Sequence, residues 1–138
     1  MSIEISPSLE KRLRDEKTIW LTTVRTDGTP QSVPVWYLWD GKTFLIFSQP
    51  TAQKLKNIAQ NPKVSIIFAH TDVYGEEGFA VVTGEAVVDK SAPPSNQIAA
   101  YLDKYREGIA AINFTPESLA AEFSVAIRVT PTRVRGDG

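Results

Sequence analysis

The chain has no cysteine, one histidine and one methionine. Without cysteine, disulfides, thiolate metal sites and cysteine nucleophiles are all excluded. The lone histidine, His70, has no clustered partners, which argues against a metal centre. Serine-hydrolase chemistry would need His70 beside an activated serine, and no Gly-x-Ser-x-Gly elbow occurs. There is no Gly-x-Gly-x-x-Gly and no phosphate-loop lysine motif, so a Rossmann-type nucleotide site is not expected. An excess of basic residues is also missing: 15 Lys and Arg face 16 Asp and Glu, for a net charge of -1. That balance argues against a nucleic-acid partner held by bulk electrostatics. No apolar run is long enough to span a bilayer, so no membrane partner is expected. Met-Ser-Ile-Glu-Ile-Ser does not read as a signal peptide, and a cytoplasmic location is the expectation.

What is present is an ordinary globular composition, 42% hydrophobic and 22% charged over 138 residues. It fits one domain, residues 1–138, large enough for a real core. Ser6-Pro7 opens a first helix with Leu9 and Leu13 on one stripe. Ile19 to Val24 is β-branched and aromatic and reads as a strand. After a Thr26–Thr29 turn, a second strand is expected from Gln31 to Trp39. Val33, Val35, Tyr37 and Trp39 would share one face, and Ser32, Pro34, Trp36 and Leu38 the other. Pro34 marks an edge, a bulge or an interrupted ladder.

The stretch from Pro34 to Lys54 organises the reading. Asp40-Gly41 between apolar runs predicts a tight two-residue hairpin turn into a third strand, Thr43 to Ser48. Pro50 ends that strand. Thr51 is expected to cap a helix reaching Gln60, with Leu55, Ile58 and Ala59 inward and Asn61-Pro62 as the stop. Val64 to His70 is apolar on both faces and reads as a central strand. Asp72 to Gly78 is an acidic loop, with Asp72, Glu76 and Glu77 solvated. Phe79 to Val88 is a long strand with a bulge or bend at Gly84. Beyond Pro93-Pro94, Ile98, Tyr101, Leu102 and Tyr105 lie on a helix ending near Gly108. Thr115-Pro116 caps a short helix to about Phe123. Val125 to Val129 is a last strand, extended by residues 131–135 past a kink. Six or more mostly antiparallel strands with short flanking helices predict a mainly β fold, a small β-barrel that removes exposed sheet edges.

Ser48, Thr51 and Lys54 gather a strand end, two hydroxyls, a helix N-terminus and an ammonium, a combination that suits a phosphate. Lys54 is read as a ligand because a cation in a first helical turn opposes the dipole unless an anion offsets it. Lys56 points to the far side of the helix and is read as surface. Tyr37 and Trp39 are read as core, whereas Trp36 shares Pro34's face and is a candidate pocket wall. Arg128, Arg133 and Arg135 alternate outward on the last strand and are read as solvated, or as meeting an acidic coenzyme tail or a partner subunit.

Several runs together resemble the flavin-binding split barrel of the pyridoxamine 5′-phosphate oxidase-like superfamily. They are Leu-Thr-Thr-Val, Asp-Gly-Thr-Pro-Gln, Val-Pro-Val-Trp-Tyr, Phe-Ser-Gln-Pro-Thr-Ala-Gln-Lys-Leu-Lys-Asn-Ile, Asn-Pro-Lys-Val-Ser, Gly84-Glu-Ala and Pro131-Thr-Arg-Val-Arg. Their order and spacing cover nearly the whole chain, and the subgroup resembled is the small enzymes that use deazaflavin coenzyme F420. The resemblance implies a homodimer with cofactor sites at the interface. It implies that backbone around Val33, Pro34, Val35 and Trp36 lines the coenzyme ring. Ser48, Gln49, Thr51 and Lys54 would then hold the ribityl chain and phosphate, and Trp36 with Phe47 would wall the pocket.

The departures point the same way. Oxidases of vitamin B6 phosphates begin the ring-contacting strand with an arginine and end it with a lysine. Here those places fall at Gln31 or Ser32 and at Trp36. The late Arg-x-His substrate motif falls near Arg133-Val134-Arg135, without a histidine. A charge-assisted hydrogen bond is worth about 1.5–3 kcal/mol, so the two missing basic groups favour F420 over FMN. The expected function is hydride transfer between F420 and a small organic acceptor, with no catalytic side chain nominated. The alternatives are an FMN-binding flavin reductase and a split barrel that binds a cofactor or ligand without turnover.

Overall fold

The computed structural model describes residues 5–68 and 80–136. Its elements in order are α1 (Pro7–Asp15), β1 (Ile19–Val24), β2 (Pro30–Val35), β3 (Leu38–Trp39), β4 (Phe44–Ser48), α2 (Gln53–Gln60), β5 (Lys63–Phe68), β6 (Ala80–Val88), a 3-10 turn (Ser95–Gln97), α3 (Ala99–Ala111), α4 (Pro116–Glu122) and β7 (Val125–Gly136). The strands form one sheet, ordered β2-β1-β5-β6-β7-β4-β3, with every pairing antiparallel. His70, the acidic loop with Asp72, Glu76 and Glu77, and Phe79 lie outside the described residues.

The strand order dictates the shape. β2 and β3 stand at opposite ends of the sheet, yet only Trp36 and Tyr37 separate them in sequence. The step from Val35 to Leu38 spans at most roughly 11 Å of extended chain. The sheet therefore curls until its ends are brought together by this link, giving the mainly β split barrel. Ile19, Leu21, Phe44, Ile46, Ile66, Phe68, Val82, Ile127 and Val129 fill its interior, joined by Leu9 and Leu13 of α1. α1 starts as its sequence dictates: the Ser6 hydroxyl accepts the Leu9 N–H, and Pro7 takes the first turn.

A second apolar cluster lies on the other face of β4. Leu45 and Phe47 meet Tyr101, Tyr105 and Ile109 of α3, Leu119 of α4 and Ala126 of β7. β4 is thus buried on both faces, which is why its residues show no polar alternation. β5 sits between β1 and β6, as its apolar composition predicts.

Local expectations were corrected in several places. The strand expected from Gln31 to Trp39 is broken at Trp36-Tyr37. There the Tyr37 N–H donates to the Tyr105 hydroxyl (2.9 Å), and the Tyr37 hydroxyl donates to the Leu13 carbonyl (2.6 Å). Side chains replace the ladder, and the two halves go to opposite sheet edges. The predicted faces survive the break: Val33, Val35, Tyr37 and Trp39 meet the barrel core, and Trp36 and Leu38 the helical cluster. Pro34 sits on an edge strand, where its missing donor costs nothing.

The hairpin turn is centred on Gly41-Lys42, not Asp40-Gly41, because Trp39 pairs with Phe44. The Asp40 carboxylate closes the loop by accepting the Lys42 and Thr43 N–H groups at 2.8 and 2.7 Å. Thr51 does not cap α2; Ala52 does, without a side-chain bond. Asn57, not Ala59, joins Ile58 as buried on that helix. α3 runs past Gly108 to Ala111.

β7 continues through Pro131. The register of β6 on β7 shifts between Thr83 and Gly84, so Thr132 is the extra residue on β7. Arg128 is not a free outward cation. It donates to Asp89 (2.7 Å) and to the Thr43 hydroxyl (2.9 Å), with Asp40 at 3.4 Å, and so ties β7 to the hairpin loop.

Candidate functional site

The Trp36-Tyr37 link that joins the sheet's ends also makes one wall of a cavity. The cavity, about 360 Å3, opens between the end of β2, β4, the start of α2, and the helical flank. Pro34, Val35, Trp36, Phe47 and Lys54 line it on the sheet side. Trp36 is held in place by a near-parallel stack on Tyr105, with centroids 4.6 Å apart and planes 11° apart. Gly108, one turn along α3, lets the indole lie against the helix backbone. Phe47 meets Tyr101 edge-on at 5.3 Å. Burial pushes the Tyr101 phenol above its usual range, so it is a neutral donor in this wall.

Lys54 stands at the second position of α2, half-buried. Burial lowers its pKa, and among the described residues no carboxylate pairs with it. It also borders a second, smaller hollow of about 90 Å3 with Thr23, Gln31, Val33, Ala52 and Gln53. A chain of amides backs this hollow. Gln53 donates to Asn57 (3.0 Å), and Asn57 donates to the Thr23 hydroxyl (2.9 Å) and to the Gln31 side-chain oxygen Oε1 (3.0 Å). Asn57 is only 1% exposed, so it can hold its neighbours in one arrangement. α2 also starts with no side-chain cap and no acidic residue in its first turn. Its dipole and the ammonium therefore present positive charge at the junction of an apolar and a polar hollow. An amphiphilic anion, ring on one side and acidic group on the other, complements that arrangement.

Of the residues singled out in the sequence, the structure brings Pro34, Val35, Trp36, Phe47 and Lys54 to the larger cavity, and Val33 to the smaller. Ser48 is fully buried, and its hydroxyl is spent on the Gln49 carbonyl at 2.9 Å. Gln49 and Thr51 are exposed on the turn before α2 and line neither hollow. Sequence reasoning missed the opposite wall: Thr18, Ser95, Tyr101, Ile112, Leu119 and Phe123. One signal was available. Gly108 inside a helical pattern marks a close approach as readily as a helix end.

A curled antiparallel sheet, helices against one flank, and a lysine between two hollows define a split barrel with a cavity on its helical side. The chain belongs to the pyridoxamine 5′-phosphate oxidase family, whose model matches residues 5–136. It is 29% identical over 109 residues to the pyridoxine/pyridoxamine 5′-phosphate oxidase of Shewanella frigidimarina, covering 74% of this chain. The match covers 51% of that protein, so the chain spans about half the length of this relative. Among solved structures, an F420 reductase is similar at 27% identity and a TM-score of 0.68, with 95% of this chain and 98% of that one covered. The heme storage protein HutZ of Vibrio cholerae shares the fold at 14% identity and a TM-score of 0.66, over 96% and 94% of the two chains. The family thus includes oxidoreductases, while its fold by itself does not decide between turnover and binding. Among the described residues no helix is long and apolar enough to cross a membrane, and no group of metal-ligating side chains occurs.

Proposed function

We propose that this chain is an oxidoreductase that binds deazaflavin coenzyme F420 and moves a hydride between it and a small organic acceptor. The observation that carries this reading is Lys54, a half-buried ammonium without a carboxylate partner among the described residues, set between an aromatic-walled cavity and a polar hollow. The volume lies in the range of small-molecule sites. The lining fits a planar ring with an anionic tail: Trp36 and Phe47 wall the ring, and Lys54 meets the phosphate.

F420 is favoured over FMN because the positions that would carry basic residues are neutral and engaged. Gln31 accepts from Asn57, the Ser32 hydroxyl bonds Thr22 at 2.8 Å, and Trp36 is stacked on Tyr105. Similarity to an F420 reductase supports the same choice. When bound, the coenzyme supplies the hydride chemistry, and the protein supplies orientation and a water-poor site. The oxidase relative favours FMN as the second reading.

The working unit is proposed as a homodimer with its cofactor sites at the interface. Trp20, 42% exposed, pairs in register with Pro34 and Ile67 on the sheet face away from the core, and this apolar surface suits a second copy.

The test is titration of the purified protein with F420 and with FMN, repeated on Lys54→Ala. Micromolar F420 binding, weakened about tenfold or more by the substitution (about 1.4 kcal/mol), is expected. Tight binding of FMN alone would transfer the site to that cofactor. Binding of neither would end the redox assignment.

A further inference from the structure

Ser95 opens the 3-10 turn that follows Pro93-Pro94. Its backbone is pinned: Pro94 is extended before it, and its own carbonyl accepts the Ile98 N–H at 3.1 Å. The side chain is in a different position. Ser95 is 1% exposed, it lines the large cavity, and among the described residues its hydroxyl has no hydrogen-bond partner. Buried hydroxyls are almost always paired, and one left unpaired is a cost to the fold that calls for a reason. A serine oxygen needs only rotation about one bond to change direction, so it can turn toward a group placed in the cavity that the residue borders. The rest of the cavity lining, Trp36, Phe47, Tyr101 and Leu119 among it, is mostly apolar. In such a setting a single hydrogen bond discriminates between ligands, because only a ligand carrying the matching group pairs the hydroxyl.

We infer that Ser95 is a specificity-determining residue of this cavity, whose hydroxyl pairs with the polar edge of a planar aromatic ligand. It selects rings that carry a carbonyl or ring nitrogen acceptor, or a ring N–H, at the edge that reaches the 3-10 turn. The inference deepens the proposed function by naming what reads the ring, but it needs only that the cavity admits an aromatic ring. It does not depend on the phosphate anchor at Lys54.

The experiment separates ring from anchor. Wild type, Ser95→Ala and Ser95→Cys are titrated with lumichrome, a tricyclic ring with carbonyl and N–H edges and no phosphate. They are titrated in parallel with anthracene, a tricycle of similar size that has no hydrogen-bonding atom. Lumichrome affinity is expected to fall about three- to tenfold in Ser95→Ala, the loss of one neutral hydrogen bond, and partly in Ser95→Cys, whose thiol is a weak donor. Affinity for the anthracene should change less than twofold. The ligand-free Ser95→Ala protein should melt no lower than wild type, because the hydroxyl it lacks has no partner among the described residues.

Equal losses for both rings, no loss for lumichrome, or no binding of lumichrome by wild type would each overturn the inference. A marked drop in the melting temperature of the ligand-free Ser95→Ala and Ser95→Cys proteins would do so too, by showing that the hydroxyl already serves the fold. If F420 and FMN fail to bind while lumichrome retains this dependence on Ser95, the cofactor assignment falls and the role of Ser95 stands.

Discussion

Trp36 and Gly108 meet so closely that a Cβ on Gly108 would lie 3.2 Å from Cζ2 and 3.3 Å from Cη2 of the indole. The helix can pass Trp36 at this distance only because position 108 has no side chain. Tyr105, one turn earlier, stacks on the same indole. Two residues of α3 thus fix the orientation of a cavity wall. In Gly108→Ala, the gain in helix propensity of about 1 kcal/mol is set against displacement of the indole by a few tenths of an ångström. Stability should change little by urea denaturation, while ligand affinity falls several-fold and the tryptophan emission shifts. Unaltered affinity with an unaltered spectrum would show that the indole is not positioned by this packing.

Lys54 contributes to stability with a definite sign. Burial lowers its pKa in the folded chain. Between that lowered value and the unfolded value near 10.4, the unfolded chain binds more protons, so stability rises with pH across the window. The penalty for the charged form is fully present below the lowered pKa. Lys54→Met should therefore raise the melting temperature of the ligand-free protein at pH 7, with the advantage shrinking as pH approaches 10. The same substitution should weaken binding of phosphate-bearing ligands. Stability and binding moving in opposite directions is what distinguishes a site lysine from a surface one.

The Asp89–Arg128 ion pair acts in the acid range instead, and there the charged form stabilises the fold. Bonds from Ser91 and Arg128 pull the Asp89 carboxyl down to about 2. A carboxylate with a depressed folded pKa contributes stability above its unfolded value, near 3.9, and loses it as pH falls through about 2. Asp89→Asn should lower the melting temperature at pH 7, and its difference from wild type should narrow below pH 4. A difference that stays constant from pH 7 to pH 3 would remove the ionic account of this pair.

Gly84 sits at the register shift between β6 and β7, where a Cβ would fall 2.6 Å from the Thr130 carbonyl oxygen. The obstacle is backbone, which cannot swing aside as a side chain does. Gly84→Ala should cost about 1–3 kcal/mol, measured by urea denaturation. Thr83→Ala, next to it and exposed, should cost much less. Similar losses at both positions would show that the bulge itself is soft.

Most of the elements could be read in the chain because their signals are local. Ser6-Pro7 and Thr115-Pro116 cap their helices within three residues of themselves, the Thr115 cap forming a reciprocal pair with Ser118. Ile19–Val24 carries β-branched and aromatic residues, and it forms a strand with those bounds. The two faces of the Val33–Trp39 run followed from period-two alternation, which holds across the break at Trp36-Tyr37.

What the chain did not disclose depended on partners distant in sequence. The strand broke at Trp36-Tyr37 because Tyr105 and Leu13, from two different helices, took over its hydrogen bonds and its ring face. Arg128 looked like a free cation until folding placed Asp89 and Asp40 beside it. Asn57 was not singled out in the sequence, and only the fold places it against Thr23 and Gln31. The sheet-side wall of the cavity, Pro34 to Trp36 with Phe47 and Lys54, was legible because it falls in one continuous stretch around a single hairpin. The helical wall, with Ser95 and Tyr101, was decided only by the tertiary structure. Residues some forty to ninety positions further on meet that stretch because the sheet curls, and curling follows from the order in which all the strands pair, which no local pattern encodes.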